Sequence, residues 1–519
     1  MFLCETSVSV LSFCYTEIHR EAQLVPIYRE RTTEIKNNTY MKKLLFILVA
    51  LFVISKPAAF CQEDNRYVPE TDPLVLEKLE KWQDLKFGLL MHWGTYSQWG
   101  IVESWSICAE DEGWCRRSNP NYTEYKKDYE NLQTTFNPVR FDPEKWAKAA
   151  KNAGMKYVIF TTKHHDGFSM FDTKLTDYRI TSPKTPFHTN PKANITKEIF
   201  NAFRAEGFWT GAYFSKPDWH SDNYWWPNFA TPDRNVNYDV TKYPERWENF
   251  VQFTQGQIME LLGGDYGKVD ILWLDGGWVQ KMTKEEVKSE ISSPDYKFIH
   301  VQNQDIRMDE LVARAREKQP GLIVVDRAVQ GKNQNYLTPE NRVPEKALSY
   351  PWESCIIAGG GWSWVPDAKY MSAKSAIQLL VDIVAKGGNL LLNIAPGPEG
   401  QWHEDAYRLL EDIGEWMKVN SEAIYETRAL APYKEGKVCI SKKGDKTVFI
   451  YYMAEDGEKM PDKIEMSSYS LPANAKIKML GTDTYLKRVN RDKGFAVIIP
   501  DKIRNAPPAK YVWVLKATY

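Results

Sequence analysis

The sequence of 519 residues is long enough for more than one domain, or for one large domain with a smaller one appended. Its 67 Lys and Arg residues almost balance its 68 Asp and Glu residues, which argues against an electrostatic nucleic-acid surface. Many of its 19 tryptophans fall in polar stretches that are typical of loops. Aromatic rings beside hydrogen-bonding groups suit a sugar ligand, although a large core can also need many tryptophans.

Residues 41–61, MKKLLFILVALFVISKPAAFC, have the pattern of a secretory signal peptide. Two lysines precede an apolar run of eleven residues, Leu44 to Ile54, which is too short and wrongly flanked for a transmembrane span. We predict that translation begins at Met41, that residues 1–40 are an upstream over-call, and that the protein is exported to the periplasm or the extracellular space. A lipoprotein anchor on Cys61 is a second interpretation, which the bulky Phe60 disfavours.

Four cysteines follow this segment: Cys108, Cys115, Cys355 and Cys439. In an oxidising compartment Cys108 and Cys115 could close a small loop, and the sequence leaves open whether they are bonded. The four include no C-x-x-C pair, so the sequence predicts no zinc site.

From about residue 86 to residue 420, short apolar runs alternate with amphipathic patterns. Runs typical of strands are KFGLLMHWG, KYVIFTTKHH, WTGAYFS, VDILWLD, LIVVDR and NLLLNIAPG. The stretch DPEKWAKAAKNAG is typical of a helix, with Asp142 as N-cap and Pro143 at the first helical position. Because the strands are too apolar for a half-exposed sheet, the alternation predicts a parallel β-sheet covered by helices.

Two architectures fit this pattern: a (β/α)8-like TIM barrel over residues 70–425, or an open doubly wound sheet. The barrel is favoured because polar residues follow many different strands, whereas an open sheet would concentrate function at one switch point. These polar residues are His92, His164, His165, Asp275, Arg327 and Asn393. After residue 430 the pattern changes to short alternating strands, which predicts a C-terminal antiparallel β-sandwich over residues 430–519.

Asp275 is the strongest candidate for chemistry, because it ends an apolar strand and is followed by two glycines. Asp-Gly is also a common turn pair, so a second carboxylate is needed to support a catalytic role. Glu340 in QNYLTPENRVP and Glu353 in YPWESC are the two candidates. Paired carboxylates at a barrel rim are the equipment of a glycosidase.

The adjacent histidines His164 and His165 end a strand and precede the turn pair Asp166-Gly167, which would let both reach one pocket. A third ligand at helical spacing is missing, so hydrogen bonding to a polar ligand is favoured over a metal. Arg327 could bond sugar hydroxyls or keep a carboxylate ionised.

The blocks FGLLMHWGTYS, YVIFTTKHHDGFSMF, ILWLDGGW, VVDRAV, YLTPE, WES and GGNLLLNIAPGPEG follow one another between about residues 70 and 425. Together they resemble the α-L-fucosidases of glycoside hydrolase family 29. The resemblance implies a (β/α)8-like barrel followed by a β-sandwich, and retaining hydrolysis of terminal α-L-fucose with neither metal nor cofactor. The implied partner is a fucosylated oligosaccharide or glycoprotein glycan. Neither a nucleic acid nor a membrane span is expected, and the oligomeric state is left open.

The same resemblance implies roles for single residues. The nucleophile is the Asp of W-x-D-G, which is Asp275, and the T-P-E block gives Glu340 as the acid/base, with Glu353 of WES as the alternative. Trp93 and Trp352 are further candidates for binding substrate. The residues whose motifs match fucose contacts are His92, His164, His165, Tyr213, Trp273 and Arg327.

Two stretches depart from the family pattern: GGGWSWVPD stands in place of S-W-G-Y, and the D-R strand lacks its trailing Trp-Gly. Both lie near the acceptor side, so the resemblance does not imply a linkage preference. Two alternative functions are a retaining glycosidase for galactose or another 6-deoxy sugar, and a non-catalytic carbohydrate-binding barrel. The presence of Asp275 together with a candidate glutamate disfavours the second.

Overall fold

The computed structural model describes residues 67–108, 115, 117–293, 300–491 and 493–519. The predicted signal peptide and the residues before it lie outside this part of the chain, so those interpretations stay predictions. Residues Val68–Ile291 and Phe298–Tyr519 form one compact unit, to which the following description applies. The other unit, Met1–Tyr67 with Ser292–Lys297, falls almost wholly outside the described residues.

A parallel sheet forms the centre of the first domain. Its strands are almost continuously buried and apolar, as expected for strands covered on both faces. Among the described residues it has seven strands in the order β5-β4-β3-β2-β1-β7-β6. The strands are β1 Phe87–Met91, β2 Tyr157–Lys163, β3 Trp209–Ser215, β4 Ile271–Asp275, β5 Ile323–Asp326, β6 Glu353–Ile357 and β7 Asn389–Asn393.

An irregular segment, residues 334–341, joins the two edge strands of this sheet. It makes an isolated bridge from Gln334 to Val325 of β5, and a second from Glu340 to Cys355 of β6. It thus occupies the position of an eighth strand without regular pairing. The predicted TIM-like parallel α/β domain is confirmed, with seven regular strands and this segment in place of eight regular strands.

Helices cover the outside of the sheet and share one large apolar core with it. The predicted cap of the helix Pro143–Asn152 is present, since Asp142 accepts a hydrogen bond from the backbone N–H of Lys145 and Pro143 begins the helix. No helix within the described residues is long and apolar enough to cross a membrane. The helices are α1 Pro73–Leu85, α2 Tyr122–Asn131, α3 Pro143–Asn152, α4 Ile195–Ala205, α5 Pro244–Leu262, α6 Lys284–Ile291, α7 Met308–Lys318, α8 Ala373–Ala385 and α9 Glu404–Asn420.

Two antiparallel sheets follow, as the change of sequence pattern predicts. One sheet has the order β12-β15-β10-β9-β8 and the other β11-β14-β13, and their buried side chains share a second core. Helix α8 packs against β8, β9 and β15. The elements are β8 Arg428–Glu435, β9 Val438–Lys443, β10 Thr447–Met453, β11 Lys463–Met466, β12 Lys476–Met479, β13 Arg488–Asn490, β14 Phe495–Ile498, α10 Asp501–Asn505 and β15 Val512–Thr518.

Candidate active site

The C-terminal ends of the parallel strands bring most of the predicted site residues together. Ser215 at the end of β3 pairs in register with Asp275 at the end of β4, and Leu274 pairs with Asp326, the residue before Arg327. Because parallel strands end at the same edge, side chains far apart in sequence meet there.

Asp275 lies at the centre of this group, with 16% of its side chain exposed. Its Oδ2 accepts a hydrogen bond from the Tyr213 hydroxyl at 2.6 Å, and His165 Nε2 lies 3.9 Å from the same oxygen. Its Oδ1 accepts from the backbone N–H of Gly276 at 2.8 Å and from Arg327 Nη1 at 3.2 Å. Both carboxylate oxygens therefore face donors.

These contacts decide the charge of Asp275. Burial by itself would raise the pKa of the carboxyl, but the Arg327 guanidinium and the hydrogen bonds from Tyr213 and Gly276 hold that pKa well below its usual range. The group is therefore an ionised carboxylate at any pH at which the protein works. An ionised, partly exposed carboxylate is suited to attack an electrophilic carbon.

Glu340 is the second carboxylate at this rim, with 33% of its side chain exposed. Its Oε2 contacts Nη2 of Arg327, the same guanidinium that bonds Asp275, and its Oε1 accepts a hydrogen bond from the Trp362 indole at 3.1 Å. One arginine thus joins the two carboxylates across the rim. Glu340 stands here because the segment 334–341 reaches Cys355 of β6.

Glu353, the alternative second carboxylate, lies at the opposite end of the barrel. It begins β6, pairs with Asn389 at the start of β7, and accepts a hydrogen bond at 2.5 Å from Tyr157 at the start of β2. It is fully buried, and burial raises the pKa of its carboxyl to about 7. The structure therefore brings Glu340, and not Glu353, next to Asp275.

The three histidines around Asp275 are neutral near pH 7. Burial lowers the pKa of His92 to about 4 and that of His165 to about 3, and it lowers the pKa of His164 well below its ordinary value. Ser104 Oγ contacts Nδ1 of His164. Neutral imidazole offers one donor and one acceptor, as a sugar hydroxyl requires.

The protonation of His92 follows from its neighbour Asn393. The amide nitrogen of Asn393 donates to the carbonyl oxygens of Gly361 and Trp362, at 3.3 and 2.9 Å, so its Oδ1 is the atom that faces His92 Nδ1 at 3.0 Å. His92 therefore carries its proton on Nδ1, and Nε2 is left as an acceptor.

Aromatic rings line the remaining walls. Trp273 stacks on Tyr213 with ring centroids 5.2 Å apart, and the Arg327 guanidinium lies 5.3 Å from the Trp273 ring. Two of the predicted tryptophans are absent from this wall. Trp93 packs on Phe136, Phe141 and Trp146 between sheet and helices, and Trp352 belongs to the same core.

Sequence reasoning missed the loop residues Glu103, Ser104 and Trp105. The Trp105 ring lies 5.2 Å from His165, and Glu103 is buried, with a pKa that burial raises to about 7. Trp362, which touches Glu340, was also missed. None of the four lies in a β-strand or an α-helix, and Ser104 and Trp105 belong only to the short 3-10 helix Ser104–Ile107, so no periodic pattern marks them. The available signal was a tryptophan or an acid in a long connection after a strand.

The ligand atoms of His164, His165 and Asp275 lie within 4.8 Å of one another, a spacing that could hold a metal ion. Both oxygens of Asp275 already face donors, however, and the Arg327 cation competes for the same charge. Metal independence stays a prediction. Cys108 and Cys115 are both buried.

The TIM-like domain with two carboxylates at its rim, surrounded by neutral histidines and tryptophans, defines the class as glycoside hydrolases. The family model described as alpha-L-fucosidase matches residues 55–422. The chain therefore belongs to the alpha-L-fucosidase family, and the predicted alpha-L-fucosidase activity is confirmed.

Relatives agree with this assignment. Tissue alpha-L-fucosidase of Homo sapiens is 26% identical over 493 residues, covering 91% of this chain and 96% of the relative. The structure of alpha-L-fucosidase isoenzyme 1 from Paenibacillus thiaminolyticus aligns with a TM-score of 0.65 and 27% identity, over 86% of this chain and 99% of that one. Thermotoga maritima alpha-fucosidase, solved in complex with a mechanism-based inhibitor, aligns with a TM-score of 0.65 and 25% identity, over 88% and 100%.

Proposed function

We propose that the protein is an exo-acting retaining alpha-L-fucosidase in which Asp275 is the nucleophile and Glu340 the acid/base. The observation that carries this proposal is the shared Arg327, whose guanidinium contacts both carboxylates. Two nitrogens of one guanidinium can reach both groups only if the carboxylates lie close together. Retaining glycosidases need a separation of about 5–5.5 Å, whereas inverting enzymes leave room for a water molecule.

In the first step, a carboxylate oxygen of Asp275 attacks the anomeric carbon of fucose. The bond from that carbon to the glycosidic oxygen breaks, and protonated Glu340 gives its proton to the leaving oxygen. In the second step, Glu340 takes a proton from water, the resulting hydroxide attacks the same carbon, and the ester bond to Asp275 breaks. Two inversions give net retention.

The other residues hold the sugar and stabilise charge. Neutral His92 and His164 suit the fucose hydroxyls: His92 offers Nε2 as an acceptor, and His164, whose Nδ1 contacts Ser104, offers its other ring nitrogen. Arg327 stabilises the Asp275 carboxylate before attack. The Trp273 ring offers an apolar wall for the C5 methyl group that distinguishes fucose from galactose.

Substrate and location belong to the same proposal. The substrate is a terminal α-L-fucose on an oligosaccharide or glycoprotein glycan, reached after export to the periplasm or the extracellular space. A panel of aryl glycosides tests the sugar, since activity on an α-galactoside without activity on the α-L-fucoside would refute the assignment of fucose.

Asp275→Gly, assayed with and without azide, tests the nucleophile. We expect hydrolysis of an aryl α-L-fucoside to fall by at least about 10³-fold, because no covalent intermediate can form. Azide should restore turnover by entering the vacated space, which would give the inverted β-L-fucosyl azide. Full activity in the variant without azide would show that Asp275 is only a turn residue.

A further inference from the structure

Trp362 stands in GGGWSWVPD, one of the two stretches that depart from the family pattern. Its indole Nε1 donates to Oε1 of Glu340 at 3.1 Å. Its ring centroid lies 5.2 Å from that of His92. The half-buried side chain therefore contacts the proposed acid/base on one side and a proposed sugar-binding histidine on the other.

The backbone around Trp362 is held from two directions. Asn393 at the end of β7 donates to the carbonyl oxygen of Trp362 at 2.9 Å. The backbone N–H of the next residue, Ser363, donates to Oε1 of buried Glu103 at 2.8 Å. The backbone that carries the indole is therefore held in place, as a group that orients a catalytic side chain requires.

The two oxygens of Glu340 have different neighbours. Oε1 faces the indole, and Oε2 faces Arg327. Both neighbours can only donate, so neither tolerates a proton on the oxygen that it contacts. Arg327 also bonds Asp275, so it can release Glu340 and keep a carboxylate partner. Trp362 has no such second carboxylate among its described contacts.

We propose that Trp362 is a positioning residue for the acid/base, which holds Oε1 of Glu340 so that Oε2 carries the proton toward the leaving oxygen. This inference rests on the proposed role of Glu340. As the glycosidic bond breaks, the proton passes from Oε2 to the leaving oxygen, and the electron pair of the O–H bond stays on the Glu340 carboxylate. The indole hydrogen bond stabilises that carboxylate as its charge develops.

The way in which the effect of replacing Trp362 depends on the leaving group distinguishes this role from simple packing against the sugar. A sugar alkoxide needs a proton in order to leave, whereas a nitrophenolate does not. If Trp362 only packed against the sugar, its replacement would slow a substrate with an alkoxide leaving group and one with a nitrophenolate leaving group equally, because both carry the same fucose. A misplaced acid would affect only the substrate with the poor leaving group.

The test compares kcat/KM of Trp362→Phe on a fucosyl disaccharide and on a dinitrophenyl α-L-fucoside. Phenylalanine keeps an aromatic ring and removes the N–H. We expect a roughly tenfold loss on the disaccharide and a change within about twofold on the activated substrate, because one hydrogen bond to a charged group is lost. Equal losses on both substrates would overturn the proposal.

Trp364→Phe is the matched control from the same stretch, since its ring stacks on His403 with centroids 5.2 Å apart. It should leave both rates unchanged. The double variant with Glu340→Ala is a second test that does not depend on an absolute rate. If Trp362 acts through Glu340, the Trp362→Phe effect disappears in that background, and additive effects would overturn the proposal.

Glu340→Ala alone keeps the two proposals distinguishable. If it loses activity equally on both substrates, or loses none, Glu340 is not the acid/base and the proposed mechanism falls. If it shows the leaving-group difference while Trp362→Phe does not, only the positioning role falls.

Discussion

Replacing the buried carboxyl at the bottom of the barrel, Glu353→Gln, separates a structural carboxyl from a catalytic one. Burial raises the pKa of Glu353 to about 7 from 4.5, so the folded protein prefers it protonated. Its stabilising contribution is fully present below pH 4.5 and is lost as the pH rises through 7. Glutamine is neutral at every pH, so the variant does not lose stability at this position as the pH rises.

The magnitude follows from the difference between the two pKa values. In the wild type, ionisation of Glu353 lowers the free energy of unfolding by about 3 kcal/mol at pH 8, because each unit of the pKa difference is worth about 1.36 kcal/mol. Relative to the wild type, the free energy of unfolding of Glu353→Gln should therefore rise by about 3 kcal/mol between pH 4.5 and pH 8. Glutamine can still accept the hydrogen bond from Tyr157, so the fold should be kept.

Thermal unfolding of both proteins from pH 4.5 to pH 8 measures this change, and it should appear as a Tm difference that grows with pH by several degrees. Activity of the variant on a fucosyl disaccharide should stay within about threefold of the wild type, since Glu353 begins β6, away from Asp275, and glutamine keeps its shape beside the Trp273 indole. A Tm difference independent of pH would refute the buried neutral state. If Glu353→Gln lost as much activity on the disaccharide as Glu340→Ala does, the assignment of Glu340 as the acid/base would be refuted.

Two further variants test other contacts. Tyr213→Phe removes a donor that orients Oδ2 of Asp275, so kcat/KM on an aryl α-L-fucoside should fall by about tenfold. Because Arg327 still holds the pKa of Asp275 well below its usual range, the acidic limb of kcat/KM should stay in place, and a limb that moves to higher pH would contradict this. Lys216→Met leaves Asp326 buried without its cation, 2.5 Å away, and should cost about 3–5 kcal/mol of unfolding free energy in a denaturant titration. The control Lys174→Met, at an exposed ion pair, should cost nothing measurable, and equal effects would contradict the reasoning.

The strands and the position of Asp275 could be predicted from sequence because they obey simple rules. Buried parallel strands are continuous apolar runs, and the polar residues that end such a run or directly follow it lie at the rim. Asp275, Arg327 and the His164–His165 pair all follow this rule. The rule says nothing about residues that begin a strand, and this is why the sequence leaves Glu353 as an alternative to Glu340.

The two displaced tryptophans have different causes. Successive residues of an extended chain point to opposite faces, so His92 in the site requires Trp93 to point away, into the layer of helices. Trp352 directly precedes Glu353, the first residue of β6, and so lies at the end of the strand opposite the rim. Contacts made by loops, such as that of Trp105 with His165, depend on a path through space that has no period in the sequence.

The two carboxylates are attached to the barrel in unequal ways. Asp275 ends a strand that is paired on both sides, so its position is fixed by the sheet itself. Glu340 lies on the irregular segment 334–341, which touches the edge strands through isolated bridges. Insertions or exchanges in this segment can therefore move Glu340 while the fold and the position of Asp275 stay intact. For an engineer, this segment is the part of the rim that can be exchanged without rebuilding the sheet.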